Sequence, residues 1–168
     1  MKIVIDPLDS KSIDKAIKEL TKYKSWVKRK ETELLNRLAS MGATKVEVVY
    51  QGAKYDGDKD ISVSFNVSDN KAVITAQGES VAFIEFGAGV YYNGSGSYPL
   101  PLPSGVVGIG QYGKGKGKRK AWGYYPDGDK SNGVVITHGN PSAKAFYQAE
   151  LEIAEQIGNI AREVFKSW

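Results

Sequence analysis

Apolar residues Ile13, Ile17, Leu20, Val27, Leu34, Leu35 and Leu38 recur at helical spacing and define one stripe of a long helix from about Ser12 to Ser40. Asp9 and Ser10 are N-cap candidates, and Gly42 is the expected stop. At 1.5 Å per residue such a helix is roughly 40 Å long, more than a small core can cover, so part of it is expected to pack outside its own core. Lys24 and Glu31 interrupt the stripe, as side chains do that snorkel at an edge or face another subunit. A second stripe, Phe146, Ala149, Ile153, Ile157, Ile160, Ala161 and Val164, predicts a C-terminal helix. Asn140 as N-cap and Pro141 at the first helical position are expected to open it, and Trp168 to extend its stripe.

Between the helices the period shortens. Thr44 to Tyr50 (TKVEVVY) and Asp60 to Val67 (DISVSFNV) alternate as half-buried strands do, and Ala72 to Ala76 follows the turn residues Asp69-Asn70-Lys71. These three segments read as a short antiparallel meander. Ser80 to Val90 (SVAFIEFGAGV) is too short an apolar run for periodicity to choose between helix and strand. Tyr91 to Asn132, rich in Gly, Tyr, Pro and Lys, reads as one long flexible loop insertion, and Gly133 to Thr137 returns to strand composition. The plan is α+β: a small antiparallel sheet packed by a long N-terminal and a long C-terminal helix, in a single domain over residues 1–168.

The chemistry legible in the chain is sparse. No cysteine is present, which excludes thiolate metal sites and a cysteine nucleophile, and His138 is the one histidine. Asp56, Asp58 and Asp60 alternate but lack the downstream glycine and glutamate of a calcium loop, so a polar hairpin turn is the expected reading. Gly108 to Lys114 spells two phosphate-binding motifs, yet Lys114-Gly115-Lys116-Gly117 does not open a helix and Gly115 stands where Ser or Thr would hold magnesium. No nucleophile, base and orienter occur together. The expectation is no enzyme and no cofactor. No apolar stretch reaches the roughly 20 residues that cross a bilayer, so a soluble, unexported protein with no membrane contact is expected.

Charge is more informative. The net charge is +4, with eight Lys and Arg at positions 11–30 against Asp14 and Glu19, and five at positions 114–120 with no acid. Lys11, Lys15, Lys18, Lys22 and Arg29 fall opposite the apolar stripe, on a face that is either simply solvated or turned toward a polyanion. Lys114, Lys116, Lys118, Arg119 and Lys120, beside Tyr112, Trp122, Tyr124 and Tyr125, form an arm suited to nucleic-acid backbone. With Lys15 and Lys22 they are the candidate DNA-facing residues.

Two segments carry a family resemblance. Gly78 to Val90 (GESVAFIEFGAGV) has Glu85-Phe86-Gly87 followed by a small residue and Gly89. Thr137-His138-Gly139-Asn140-Pro141-Ser142-Ala143 then precedes an amphipathic helix. In this order, after an N-terminal amphipathic helix and a β-meander, they resemble the HK97 gp10-like family of tailed-bacteriophage tail-component proteins. The resemblance spans most of the chain outside Tyr91 to Asn132. It implies a tail completion, neck or head-tail joining protein: a structural subunit of a homo-oligomeric ring, often hexameric, around the DNA channel. Implied partners are neighbouring neck and tail-tube proteins, with non-specific contact to passing DNA. The implied location is the virion, at the head-tail junction or tail end, after assembly in the bacterial host cytoplasm. No catalytic residue is carried over. Such a ring needs heterologous interfaces, for which Phe83, Glu85, Phe86, Lys24 and Glu31 are the candidates. The alternative function is a small nucleic-acid-binding domain without sequence specificity.

Overall fold

Helix α1, Ser10–Gly52, is 43 residues long, or about 64 Å at 1.5 Å per residue, in a computed structural model that describes residues 4–55, 57–89, 99 and 120–166. Asp9 caps it by accepting the N–H of Lys11 at 3.0 Å. The expected stop at Gly42 and the expected strand Thr44 to Tyr50 are both overturned, because the helix runs through them. Leu38, Ala39, Gly42, Ala43, Val46 and Tyr50 repeat at three- and four-residue steps and all are buried. Tertiary packing of that stripe outweighs the modest strand preference of the β-branched residues. At Gly42 an added Cβ would lie 2.6 Å from Ile74 Cδ1 and 2.8 Å from Ile153 Cδ1, so this glycine marks a close approach of α1 to the hairpin and the last helix.

Strands β1 (Ser62–Ser68) and β2 (Lys71–Gln77) form an antiparallel hairpin with Phe65 opposite Ile74. Asp69 and Asn70, with φ of 48° and 60°, make the two-residue turn that matches strand twist. With residues 44–50 helical, the expected meander reduces to this hairpin. Val81–Phe86 is the short helix α2. Asp60 prepares its start by accepting the N–H of Glu79 at 2.6 Å and of Ser80 at 3.0 Å, and also the Ser80 hydroxyl.

Most of the expected insertion lies outside the described residues. At its end, β3 (Trp122–Tyr124) pairs antiparallel with β4 (Val135–Thr137), joined through two single 3-10 turns. Three-residue strands are too short for alternation to reveal. Helix α3, Ala145–Val164, lies antiparallel along α1. Tyr50 meets Phe146, Lys45 pairs with Glu152 at 3.0 Å, Arg37 with Glu163 at 3.4 Å, and Trp26 meets Phe165 edge-on. The core where α1, α2, α3 and the hairpin converge holds Val46, Tyr50, Ile84, Ala145 and Ala149, flanked by Val63, Ile74 and Phe146. The architecture is α+β, with two small two-stranded sheets on a long two-helix frame. Among the described residues no helix is long and apolar enough to cross a membrane.

Candidate functional site

The segments 78–90 and 137–143, distant in sequence, lie against each other. Ala88 and Asn140 exchange backbone hydrogen bonds at 2.9 and 3.3 Å, and the N–H groups of Ala143 and Lys144 donate to the carbonyls of Ile84 and Glu85. Asn140 donates its side-chain amide to the Phe83 carbonyl at 2.8 Å, and the Ser142 hydroxyl donates to the Glu85 carbonyl at 2.5 Å. Asn140, Ser142, Ala143 and Lys144 are therefore fastened to α2 and to Ala88 just after it. Asn140 and Pro141 do not open α3, which begins at Ala145 after Lys144 in the left-handed conformation, φ 56°. Gly139, with φ 80°, lies so close that a Cβ there would stand 2.3 Å from the Ala88 carbonyl oxygen.

Glu85 completes this junction. Its carboxylate accepts the N–H of Ala145 at 2.8 Å and of Phe146 at 3.2 Å, two of the donors that a helix start leaves without an intrahelical partner. A carboxylate at that end also faces the positive pole of the α3 dipole. Glu85 is 2% exposed and Phe86 is 8% exposed, so both are interior groups and their assignment to a subunit interface is corrected. Phe83 is half-buried, Lys24 exposed and Glu31 half-buried, and none of these three is brought together with Glu85 and Phe86 as one outward patch.

The outward-facing apolar groups are elsewhere. Phe165 meets Trp26 near the C-terminal end of α3, and the first four turns of α1 extend past that contact. On these turns Ile13 is 38%, Ile17 56% and Leu20 52% exposed, while Ala16 between them is 4% exposed, so the large side chains of the stripe stand open beside a buried small one. Lys11, Lys15, Lys18 and Lys22 are exposed on the same turns, with Lys22 paired to Glu19 at 2.8 Å. Lys120 is exposed next to β3, while Lys114, Lys116, Lys118 and Arg119 lie outside the described residues.

The larger clefts among the described residues include an apolar one beside the two long helices and a polar one beside α2. One, of 400 Å³, is walled by Leu35 and Leu38 of α1, Val73 and Ile74 of β2, and Ile153 of α3. The other, of 560 Å³, is lined by Tyr55, Asp58, Asp60, Phe83 and Tyr124 among others. Its Asp60 is committed to the start of α2, and hydrogen bonds from the Ser80 hydroxyl and then from the Glu79 and Ser80 N–H groups hold its carboxyl below the usual carboxylate range. Among the described residues no three His, Cys, Asp or Glu side chains converge as metal ligands would. His138 is exposed at the start of the 138–144 strap.

No protein-family model, curated protein or solved structure matches the chain.

Proposed function

We propose that this chain is a structural subunit of a phage or prophage-derived neck or tail-end ring, a tail completion or head-tail joining protein around the DNA channel. The observation that carries the reading is the exposed ridge of Ile13, Ile17 and Leu20 on a helix that outruns its partner α3. Aliphatic side chains in a row at helical spacing gain roughly 25 cal/mol for each Å² of apolar surface removed from water, which a neighbouring subunit supplies. The Glu85 junction suits the same role, because it fixes α2 and α3 as one unit on which interfaces keep a set geometry. The resemblance of segments 78–90 and 137–143 to the HK97 gp10-like family supplies the ring, proposed as a hexamer in the virion, bounded by neck and tail-tube proteins.

The exposed face of Lys11, Lys15, Lys18 and Lys22 favours one second reading, a nucleic-acid-binding domain without sequence preference. Mass photometry with negative-stain microscopy tests the choice. Closed particles of fixed subunit number with weak DNA affinity support the ring, and a monomer with tight, steeply salt-dependent DNA affinity supports the second reading instead.

A further inference from the structure

We infer that β1 pairs edge to edge, antiparallel, with β1 of a second copy of this chain, joining two hairpins into one four-stranded sheet. The inference goes beyond the ring and stands without it, because a two-fold contact closes at two copies whereas the joints of a ring are heterologous. The hairpin keeps an unbroken register from Ser62 opposite Gln77 to Ser68 opposite Lys71. Asp69 and Asn70 form a two-residue turn, so Ser68 and Lys71 are a hydrogen-bonded pair and every second pair repeats that pattern. The N–H and C=O groups of Val63, Phe65 and Val67 consequently point away from β2. Among the described residues no third strand meets them. Such edges are normally guarded by Lys, Pro, a bulge or shortness. In a chain that is 25% charged, Ser62–Ser68 holds no charge, no proline and no bulge, and Ser62, Ser64, Phe65, Asn66 and Ser68 are exposed. The β2 edge is the poorer one, since Lys71 opens it and Ile74, Thr75 and Ala76 are half-buried.

The sequence of β1 points to its own copy as the occupant. Ser-Val-Ser-Phe-Asn-Val-Ser reads almost the same in both directions, with Phe65 at its centre. Antiparallel pairing about Phe65 sets like against like: Ser62 opposite Ser68, Val63 opposite Val67, Ser64 opposite Asn66, and Phe65 opposite Phe65. In this register the outward N–H and C=O groups of Val63, Phe65 and Val67 meet those of the second copy. A slip of one residue sets Val and Phe against Ser and Asn and turns the outward groups of one strand toward the inward ones of the other. Phe65, 40% exposed on the face that also carries Val63 and Val67, gains an aromatic cross-strand neighbour, and no like charges meet. A two-stranded hairpin is marginal by itself, whereas the four-stranded sheet covers both open β1 edges at once. An unrelated extended segment satisfies the backbone but does not use this symmetry.

The chain has no cysteine, so introduced thiols report this contact without background. Ser64 and Asn66 of the two copies face each other as a non-hydrogen-bonded pair, with Cα atoms about 4.5 Å apart and within disulfide reach. Full-length Ser64→Cys and Asn66→Cys are purified separately, mixed under mild oxidation and mapped by peptide mass. The disulfide between positions 64 and 66 is expected about tenfold above that of a control pair, Ser64→Cys with Ser131→Cys, because pairing raises the local thiol concentration. A yield no higher than the control, or a predominant disulfide between two copies of position 64, overturns the inference. Charge gives an independent test in the Leu20→Glu chain, where the ring is disabled. Adding Ser64→Lys and Asn66→Lys sets lysine against lysine across the joint and is expected to weaken dimerisation about tenfold in sedimentation. The melting curve is expected to stay unchanged, since both positions are exposed. Mixing that chain with its Ser64→Glu, Asn66→Glu counterpart is expected to restore the dimer. Dimerisation that the lysines leave unchanged overturns the inference. Microscopy of the thiol samples separates it from the ring: the 64–66 link without closed rings upholds the contact and removes the ring, whereas closed rings without the link uphold the ring and overturn the contact.

Discussion

The buried carboxylate of Glu85 accepts the backbone N–H of Ala145 at 2.8 Å, across 60 positions of sequence, and so fastens α2 to the first turn of α3. Phe146 donates to the other oxygen. Ser142 and Lys144 donate to the Glu85 carbonyl, so one residue gathers four hydrogen bonds from a single five-residue stretch. Glu85→Ala is expected to cost about 1–3 kcal/mol, the penalty for leaving buried donors unpaired, read as a lower denaturation midpoint at constant slope. Glu85→Gln keeps one acceptor and is expected to recover part of that loss. A Glu85→Ala chain as stable as the parent would show that water replaces the carboxylate without penalty.

Gly139 tests the closeness of the two segments. Both Gly139 and Gly128 have positive φ, at 80° and 70°, but an added Cβ meets the Ala88 carbonyl at Gly139 and nothing within 4 Å at Gly128. Gly128→Ala is expected to cost about 1–2 kcal/mol, the strain of the left-handed conformation alone. Gly139→Ala adds the collision with backbone and is expected to exceed it measurably in urea unfolding. Equal losses would mean that residues 88 and 139 separate freely.

Asp60 predicts a pH response. Its folded-state carboxyl titrates below the unfolded one, first through the Ser80 hydroxyl and then through the N–H groups of Glu79 and Ser80. A lowered folded value means that the stabilisation is fully present above the unfolded carboxylate value of about 4 and is lost as pH falls through the folded value. Asp60→Asn should therefore lower the melting temperature at pH 7 and narrow its gap to the parent on acidification below pH 4. A gap that stays constant down to pH 2 would contradict the linkage.

The basic residues are expected to act on DNA binding and not on folding. Replacing Lys15 and Lys22 by Ser, or Lys114, Lys116, Lys118, Arg119 and Lys120 by Ser, should leave cooperative thermal unfolding intact. The same variants should flatten the dependence of DNA affinity on salt, by roughly one unit of log–log slope for each phosphate that is no longer neutralised. Loss of cooperative unfolding in the five-residue variant would place that segment in the core.

Much of this is legible in the chain. The Ile13 to Leu38 stripe predicts a helix, and its excess length predicts an uncovered part, which Ile17 and Leu20 are. The Asp69-Asn70 turn and the hairpin around it also follow from local chemistry. TKVEVVY misleads because Val46 and Tyr50 satisfy both a two-residue and a helical period, and only contact with Ile84 and Ala145 decides between them. Glu85 reads as a surface residue because charge usually is. Its partners are backbone groups of a helix start 60 residues later, which no local pattern encodes. The cleft of Leu35, Val73 and Ile153 escapes a sequence reading for a related reason: it is assembled from three elements, each with an unremarkable stripe.

Native mass spectrometry of the full chain at rising concentration, with Leu20→Glu as the comparison, tests the central claim most directly. A closed oligomer of one fixed subunit number, a hexamer in the proposed ring, is predicted for the parent and no species above a dimer for the variant. A parent that stays monomeric at every concentration while binding DNA tightly and with steep salt dependence would contradict it.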